Sequence, residues 1–435
     1  MSSRHSRRAI LQGGGVAALA LGTGLLPGFA QRALAEEAVA RDAGPARKKV
    51  FCFLFLRGAL DGLMALQPLG DPRLQELRPQ LALLPPGMPS KGAQSAPLVS
   101  LGDSVAFAAH PSLAPLLPLW QQGHLAFVHA VGSPDPTRSH FDAQDMLELG
   151  TPGRTSTPEG FLTRALTLAP AQEPRSPLEV VALSARAPRS LQGEKGALAF
   201  SGVDQLRLRP QAGTGGNPGR AASREVFQAL YGEGADRVSS AGQQAFAAVD
   251  LLEKKTGRNG PQTDERARYP GGPMGNSLKQ LAQLIKADVG LRVGCLDAGG
   301  WDTHAGEPGV LQRLLGELAA GLSAFWLDLG ERAADVTLVA ATEFGRTARQ
   351  NGAVGTDHCH GSVALVLGGD VVGGEVHGLW PGLRDDQLYE QRDLAVTTDL
   401  RAVLASALTG ALGPIDLARV FPGFTGAPMP GLIRA

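Results

Sequence analysis

The stretch KVFCFLFLRG, from Lys49 to Gly58, decides the fold of this chain. Its apolar residues follow one another without polar alternation, and the run has the length of a β-strand. Such a run is typical of a strand that is buried on both faces of a parallel sheet. It therefore predicts the central first strand of an α/β fold.

Further strands and helices follow along the chain. The other strand-like runs are HLAFVHAV (124–131), LEVVALS (178–184), LRVGCLDA (291–298), VTLVAAT (336–342) and SVALVLGG (362–369). Apolar spacing at i, i+3 and i+4 predicts helices at SREVFQALYGEG (223–234), AGQQAFAAVDLLEKKTG (241–257), SLKQLAQLIKADVG (277–290), VLQRLLGELAAGLSAFWLDLGER (310–332) and TDLRAVLASALTG (398–410). This order predicts a doubly wound, mainly parallel sheet sandwiched by helices, with residues 151–276, approximately, as a helical cap or insertion.

An export signal occupies the N-terminus. SRRAILQ (6–12) matches a twin-arginine signature, and the apolar run after it is too short to span a bilayer. Residues 33–35, Ala-Leu-Ala, suit signal peptidase, so we expect a signal peptide over 1–35 and a single α/β domain over 36–435. We expect a periplasmic or secreted protein that engages the twin-arginine translocation machinery. An uncleaved anchor is the alternative, but no stable membrane anchor is expected.

The charge balance argues against a nucleic-acid-binding protein, and the cysteine content argues against a disulfide-rich protein. The chain has 41 basic and 41 acidic residues, and its first 35 residues hold four Arg and no acid, so the remainder is mildly acidic. This balance predicts no nucleic-acid partner. The three cysteines are Cys52, Cys295 and Cys359, too few for a disulfide framework, and the first two lie in apolar runs typical of buried core thiols.

Polar side chains cluster beside the apolar runs. They lie in RGALDGL (57–63), GSPDPTRSHFDAQD (132–145), GGWDTH (299–304), EFGRT (343–347) and GTDHCHG (355–361). The first four segments follow a strand, and the fifth precedes one. Because open parallel sheets bind ligands at one strand-end edge, we expect all five loops to converge there.

This gathering of charges indicates a metal site. Carboxylates and imidazoles crowded at a sheet edge repel one another or are poorly solvated unless a divalent cation neutralises them. Mixed Asp, Glu and His ligands suit zinc, manganese or calcium. Such an ion can activate a serine or a water molecule, and Arg346 or Arg138 could hold the resulting oxyanion.

Each candidate also has a purely structural interpretation. Asp61 and Ser139 are well placed to cap helices that begin one residue later. Asp302 and His304 could stabilise a turn, and Glu343 could form only an ion pair with Arg346. The sequence leaves these alternatives open.

The motif set resembles a known family. GGWDTH, EFGRT and GTDHxHG occur in this order, with a twin-arginine signal, RGxxDGL after the first strand, and TRSHF. Together, over residues 48–381, they resemble the bacterial exported domain-of-unknown-function family 1501. That family is placed by similarity in the alkaline phosphatase and sulfatase superfamily, whose fold is a doubly wound α/β sandwich.

The resemblance implies a metal-dependent hydrolase of phosphate or sulfate esters, acting on a small anionic ester. It implies Ser139 or, less well, Thr137 as the nucleophile, with Arg346 orienting the anion. The implied metal ligands are Asp61, Asp302, His304, Glu343, Asp357 and His358.

Two departures from the superfamily pattern support an alternative. Asp302 and His304 are two residues apart rather than one helical turn, and Phe344 stands where one alignment requires a histidine. Two complete metal sites are therefore in doubt. The alternative is a non-catalytic exported protein whose degenerate site binds carbohydrate or another surface. A metal-free Ser-His-Asp esterase is a weaker third possibility, because no GxSxG elbow accompanies Ser139.

Overall fold

A computed structural model describes residues 48–89, 96–171, 174–194, 196–202, 237–256 and 262–434. The proposed signal peptide and the proposed helix at 223–234 lie outside these residues. The chain divides into the units Met1–Lys48 and Lys49–Ala435, and every element below belongs to the second. Among the described residues, no helix is long and apolar enough to cross a membrane.

The strands form one large sheet and one small sheet. They are β1 (Val50–Arg57), β2 (Leu66–Pro68), β3 (Val99–Ser100), β4 (Phe107–Ala109), β5 (Leu125–Gly132), β6 (Val180–Ala182), β7 (Ala197–Ala199), β8 (Val293–Gly299), β9 (Val336–Ala341), β10 (Ser362–Gly368), β11 (Val376–His377) and β12 (Thr398–Asp399). The large sheet has the order β11-β5-β10-β9-β1-β8-β6-β7, with β12 also paired to β5. Strands β2, β4 and β3 form the small antiparallel sheet.

The helices are α1 (Gly62–Ala65), α2 (Pro72–Leu77), α3 (Leu117–Gln121), α4 (His140–Leu149), α5 (Phe161–Leu168), α6 (Arg237–Thr256), α7 (Pro273–Lys286), α8 (Glu307–Leu329), α9 (Leu400–Leu412) and α10 (Leu417–Val420). Short 3-10 turns cover Pro111–Leu116, Arg189–Leu191 and Gly330–Asp335. All six predicted strands are present, and the predicted helices at 241–257, 277–290, 310–332 and 398–410 correspond to α6, α7, α8 and α9.

Strand β1 lies at the centre of the core, as its unbroken apolar run predicts. Cys52, Leu54 and Leu56 belong to the hydrophobic cluster that includes α7 and α8. Phe51, Phe53 and Phe55 belong to the cluster on the other face, which includes α5 and α9. The sheet is therefore covered by helices on both faces. The three cysteines are free and buried.

The large sheet is mixed rather than wholly parallel. Strand β1 pairs in parallel with β8 and β9, and β6 pairs in parallel with β7 and β8. Strand β10 is antiparallel to both of its neighbours, β5 and β9. The fold is thus α/β with a mostly parallel central sheet and is compatible with a doubly wound arrangement.

The segment predicted to be a helical cap or insertion, residues 151–276, supplies strands as well as helices. Its described parts include α5 and α6 and also β6 and β7, which extend the large sheet beyond β8. The apolar run at 178–184 accounts for this, because a buried strand next to β8 satisfies its backbone hydrogen bonds within the sheet.

Candidate metal centre

Five loops meet at one edge of the large sheet. Four of them follow β1, β5, β8 and β9, and the fifth, containing His358, precedes β10. The antiparallel direction of β10 explains this meeting, because its first residue lies at the edge where its neighbours end. A parallel β10 would have carried GTDHCHG to the opposite edge.

The loops approach so closely that glycine is required at two contacts. Gly58, with a φ of +116°, faces the loop after β8, and a Cβ there would lie 2.8 Å from the backbone nitrogen of Asp302. At Gly345, a Cβ would lie 1.8 Å from the carbonyl oxygen of Gly361. Any larger residue would push these loops apart, since only glycine lacks the Cβ.

His140, Asp302 and His358 form a cluster that could hold a metal ion. Their candidate ligand atoms all lie within 4.8 Å of one another. Asp302 Oδ1 lies 3.3 Å from His358 Nε2 and 3.5 Å from His140 Nε2. His304 extends the cluster, with its Nε2 3.1 Å from Asp302 Oδ1 and 2.9 Å from His358 Nε2. For comparison, ligand atoms around a tetrahedral zinc ion are about 3.3 Å apart when each metal bond is about 2.0–2.1 Å.

Each histidine of the cluster is oriented through its other ring nitrogen. Nδ1 of His140 lies 2.7 Å from Glu343 Oε1, Nδ1 of His304 lies 2.9 Å from Asp357 Oδ1, and Nδ1 of His358 lies 2.8 Å from the carbonyl of Arg138. Ionised carboxylates and carbonyls only accept hydrogen bonds, so all three Nδ1 atoms donate. In the neutral rings, each Nε2 therefore presents a lone pair, as in metal-binding histidines held by an outer carboxylate or carbonyl.

A cation could satisfy these lone pairs. His140 Nε2 is buried and has no hydrogen-bond partner. Nε2 of His304 and Nε2 of His358 face each other at 2.9 Å, and two lone pairs at this distance repel. A proton on one ring relieves part of this repulsion, whereas a metal ion satisfies several nitrogens and the Asp302 carboxylate together.

The protonation states of two candidate ligands favour metal binding near neutral pH. Partial burial opposes ionisation of Asp302, but the hydrogen bond and charge of Arg346, with His304 and His140, lower the pKa of Asp302 to about 2. Burial lowers the pKa of His358. The hydrogen bond to Glu343 raises the pKa of His140, so a proton competes for its Nε2 at acidic pH.

Arg346 lies beneath the cluster and not on its surface. Its side chain is 0% exposed and donates hydrogen bonds to the carbonyls of Gly58, Ala59, Trp301 and Thr356 and to Asp302 Oδ1. Arg346 thus joins the loops after β1, β8 and β9 and the loop before β10. The sequence assigned Arg346 to a substrate anion, but with these partners it positions Asp302 and the loop backbones.

Glu343 lies in the same buried layer. Its Oε1 accepts hydrogen bonds from His140 Nδ1, from the Gln144 side chain at 2.9 Å and from the backbone N–H of Gly58 at 2.9 Å. Burial opposes its ionisation, yet these hydrogen bonds, that of His140 first, lower the pKa of Glu343. Its 0% exposed side chain orients a ligand instead of facing the cluster as a ligand itself.

Asp61, another predicted ligand, is held in a separate buried ion pair. Its Oδ2 lies 2.7 Å from Arg78 Nη1, and both side chains are 0% exposed. Its Oδ1 accepts a hydrogen bond from the backbone N–H of Met64, so it caps α1. Burial and the charge of Asp61 raise the pKa of the neighbouring Glu307 to about 9. Glu307 also accepts a hydrogen bond from the Thr356 hydroxyl at 2.7 Å.

The remaining predicted residues take distinct places. Asp357, whose side chain is 50% exposed, orients His304 and also accepts a hydrogen bond from Asn351. Ser139 caps α4 by accepting a hydrogen bond from the backbone N–H of Asp142 at 3.4 Å. The Thr137 hydroxyl accepts a hydrogen bond from the backbone N–H of Ser139. Among the described residues, neither hydroxyl contacts a histidine nitrogen within hydrogen-bonding distance.

A comparison with known protein families matches most of the chain. A family model described as "Protein of unknown function (DUF1501)" matches residues 71–416. The chain belongs to this family. The DUF1501 match includes every residue of the cluster and begins after β1 and Asp61. A search of curated proteins finds no match.

Sequence reasoning missed the role of His140. The family resemblance selected the neighbouring Ser139 instead, because it implies a nucleophile at the start of a helix. A signal was present, since TRSHF follows a buried strand at the expected edge and histidine is a better metal ligand than serine. Phe344, which was treated as a missing ligand, instead stacks on the His140 ring at 4.8 Å between centroids.

Proposed function

We propose that this DUF1501 protein is an exported metal-dependent hydrolase of phosphate or sulfate esters. The observation that carries the proposal is the convergence of the His140 and His358 lone pairs on the Asp302 carboxylate, with each Nδ1 fixed by an acceptor. Three protein ligands with a position left for water or substrate are typical of catalytic zinc sites, whereas structural zinc sites are closed by four.

Zinc fits the donor set best, and manganese is second. Two imidazoles and one carboxylate suit zinc, while calcium prefers six to eight oxygen ligands. A divalent ion held here would polarise an ester oxygen and lower the pKa of a bound water. The cluster is reached from solvent through Asp302 and His304, whose side chains are each 45% exposed.

His304 and Asp357 supply a proton-transfer pair beside the three ligands. The Asp357 carboxylate accepts a hydrogen bond from the Nδ1–H of His304, which fixes the ring and leaves Nε2 to exchange a proton with the substrate or a water molecule. An acid-base histidine held by a carboxylate is a recurrent arrangement in hydrolases. His304 can thus act in proton transfer or as a fourth ligand.

Ser139 is the proposed nucleophile. It lies at the N-terminus of α4, one residue before the ligand His140, where backbone N–H groups and the helix dipole favour an anion. Its capping hydrogen bond uses a hydroxyl lone pair and leaves the hydroxyl proton available for removal. Thr137 is the alternative nucleophile. The chemistry of the cluster and the superfamily membership that the motif resemblance implies both support this proposal.

Metal analysis combined with an ester assay tests the proposed function. Protein purified from its native host should contain about one divalent ion per chain and should hydrolyse an aryl phosphate or an aryl sulfate. Asp302→Asn should lose both properties, whereas Asp288→Asn, a change at a 58% exposed carboxylate outside the site, should keep them. A protein with neither bound ion nor turnover would favour the non-catalytic surface-binding alternative.

Export is proposed on the twin-arginine motif alone. Replacing Arg7 and Arg8 together by Lys should leave the protein in the cytoplasm with its N-terminal segment uncleaved. Cell fractionation and N-terminal sequencing measure both outcomes. Undiminished delivery of the double variant to the periplasm or medium would exclude this route.

A further inference from the structure

An open cleft of about 240 Å³ adjoins the candidate metal centre. It includes Asp357, which orients His304, and Asn351, whose side chain hydrogen-bonds to the His304 carbonyl at 2.9 Å. The apolar part of the lining is formed by Leu77, Ala348 and Leu388. A ligand in this cleft would therefore lie beside His304.

The cleft carries a free positive charge. Arg349 lines it and is exposed, and no hydrogen bond or ion pair of its side chain is described within the covered ranges. Arg392 lines the same cleft, with its Nη1 3.0 Å from the buried Asp393. An arginine with unused N–H groups in a concave site is suited to bidentate binding of an oxyanion.

Among the described residues, the acidic side chains of the cleft form no ion pair with Arg349 and contact other groups instead. Asp357 pairs with His304 at 2.9 Å, and Asp385 pairs with Arg73 at 2.8 Å. The amides of Gln350, Asn351 and Gln391 add neutral donors and acceptors. The lining therefore favours an anion with hydrogen-bonding oxygens over a cation.

Two other arginines near the centre are already occupied. Arg346 is buried against backbone carbonyls and Asp302, and Arg138 pairs with Glu390 and Asp393. We infer that the Arg349 cleft binds an oxyanion group of the substrate, a carboxylate, sulfate or phosphate remote from the ester that reacts. This inference rests on the proposed function for the link to catalysis, but anion binding itself can be measured without turnover.

Calorimetric titration with inorganic sulfate tests the cleft directly. Protein stripped of ions by a chelator should still bind sulfate, and Arg349→Gln should weaken this binding at least tenfold. Arg349→Lys keeps the positive charge but loses the planar guanidinium group with its paired N–H donors, so it should give an intermediate affinity. Arg313→Gln removes the same charge from an exposed position on α8 and should bind sulfate like the wild type. Equal sulfate affinity in the wild type and Arg349→Gln, or no binding by the stripped wild type, would overturn the inference.

A matched pair of esters connects the cleft to the reaction. Phenyl phosphate and 4-carboxyphenyl phosphate differ only in the second anionic group, so Arg349→Gln should raise KM for the second about tenfold and leave kcat largely unchanged. An equal change in KM for both esters would show that Arg349 does not recognise the second anion. If neither ester is hydrolysed, the proposed function fails, while the sulfate titration still decides the role of the cleft.

Discussion

The site consists of two layers with opposite character. The buried floor comprises residues whose side chains are shielded from solvent: Asp61, Arg78, Glu307, Glu343 and Arg346. The exposed cluster above it comprises His140, Asp302, His304 and His358, whose side chains are 20 to 45% exposed. Both layers consist of polar residues at the same sheet edge. They differ in that each floor side chain has a hydrogen-bond partner, whereas the cluster leaves nitrogen lone pairs without donors.

This difference separates stability from ion binding. A buried charge that loses its partner is costly, because neither water nor protein then compensates it. A half-exposed ligand that is lost can be replaced by water. Changes in the floor should therefore affect folding first, and changes in the cluster should affect ion binding first.

The largest effect is expected from Arg78→Met. This change leaves Asp61 without its buried partner and removes hydrogen bonds to the carbonyls of Thr347 and Ala348. The free energy of unfolding, measured by urea titration at pH 7, should fall by about 3–5 kcal/mol. Arg384→Met, at an exposed pair, should leave it almost unchanged. Similar stability of the two variants would remove the distinction between the layers.

A cluster change should show the reverse pattern. His358→Ala removes a ligand whose side chain is 23% exposed, so stability should change by less than about 1.5 kcal/mol. The dissociation constant for zinc, measured by competition with a chromogenic chelator, should rise by more than about 100-fold, beyond the usual effect of an outer-layer change. His377→Ala, at a histidine that contacts the Val372 carbonyl, is the control and should bind zinc normally.

Glu343→Gln tests the connection between the layers. The amide keeps the size of the side chain but loses the charge that holds the His140 Nδ1 proton. Zinc affinity should fall about 10- to 100-fold, which is typical when an outer carboxylate that orients a histidine is removed. Glu317→Gln, on the surface of α8, supplies the matched control. Complete loss of zinc binding without unfolding would instead make Glu343 a ligand.

The smallest effect is a pH dependence carried by Glu307. Burial and Asp61 raise its pKa to about 9, so the folded protein keeps a proton that the unfolded chain releases above its ordinary pKa of 4.5. This contribution to stability is complete below pH 4.5 and declines as pH rises towards 9. Glu307→Gln carries no such proton, so its stability relative to the wild type should increase from pH 5 to pH 9. If the unfolding free energies of the two proteins changed with pH in parallel, the folded protein would not hold a proton on Glu307.

Much of the fold could be predicted from the sequence because burial on both faces leaves a clear signal. The unbroken run of β1 and the periodic apolar residues of α7 and α8 reflect contacts that depend mainly on hydrophobicity. The direction of β10 could not be predicted, because its run SVALVLGG has the same pattern in a parallel or an antiparallel strand. Direction depends on the connections and the neighbouring strands.

The convergence of the five segments was also predictable, but the role of each polar residue within them was not. Asp61 and Asp302 each follow a buried strand, and nothing local shows that one meets Arg78 and the other three histidines. The partner of Asp61 is Arg78, the residue that follows α2, and it lies outside every motif. Roles set by long-range partners and by burial require the three-dimensional structure.

Anomalous diffraction from crystals of zinc-loaded protein tests the central claim most directly. We predict one zinc ion bonded to Nε2 of His140, Nε2 of His358 and the Asp302 carboxylate, at about 2.0–2.2 Å, with Glu343 and Asp61 outside the coordination sphere. No zinc peak at this edge of the sheet, or a peak bonded to Asp61 or Glu343 in place of the histidines, would contradict the account.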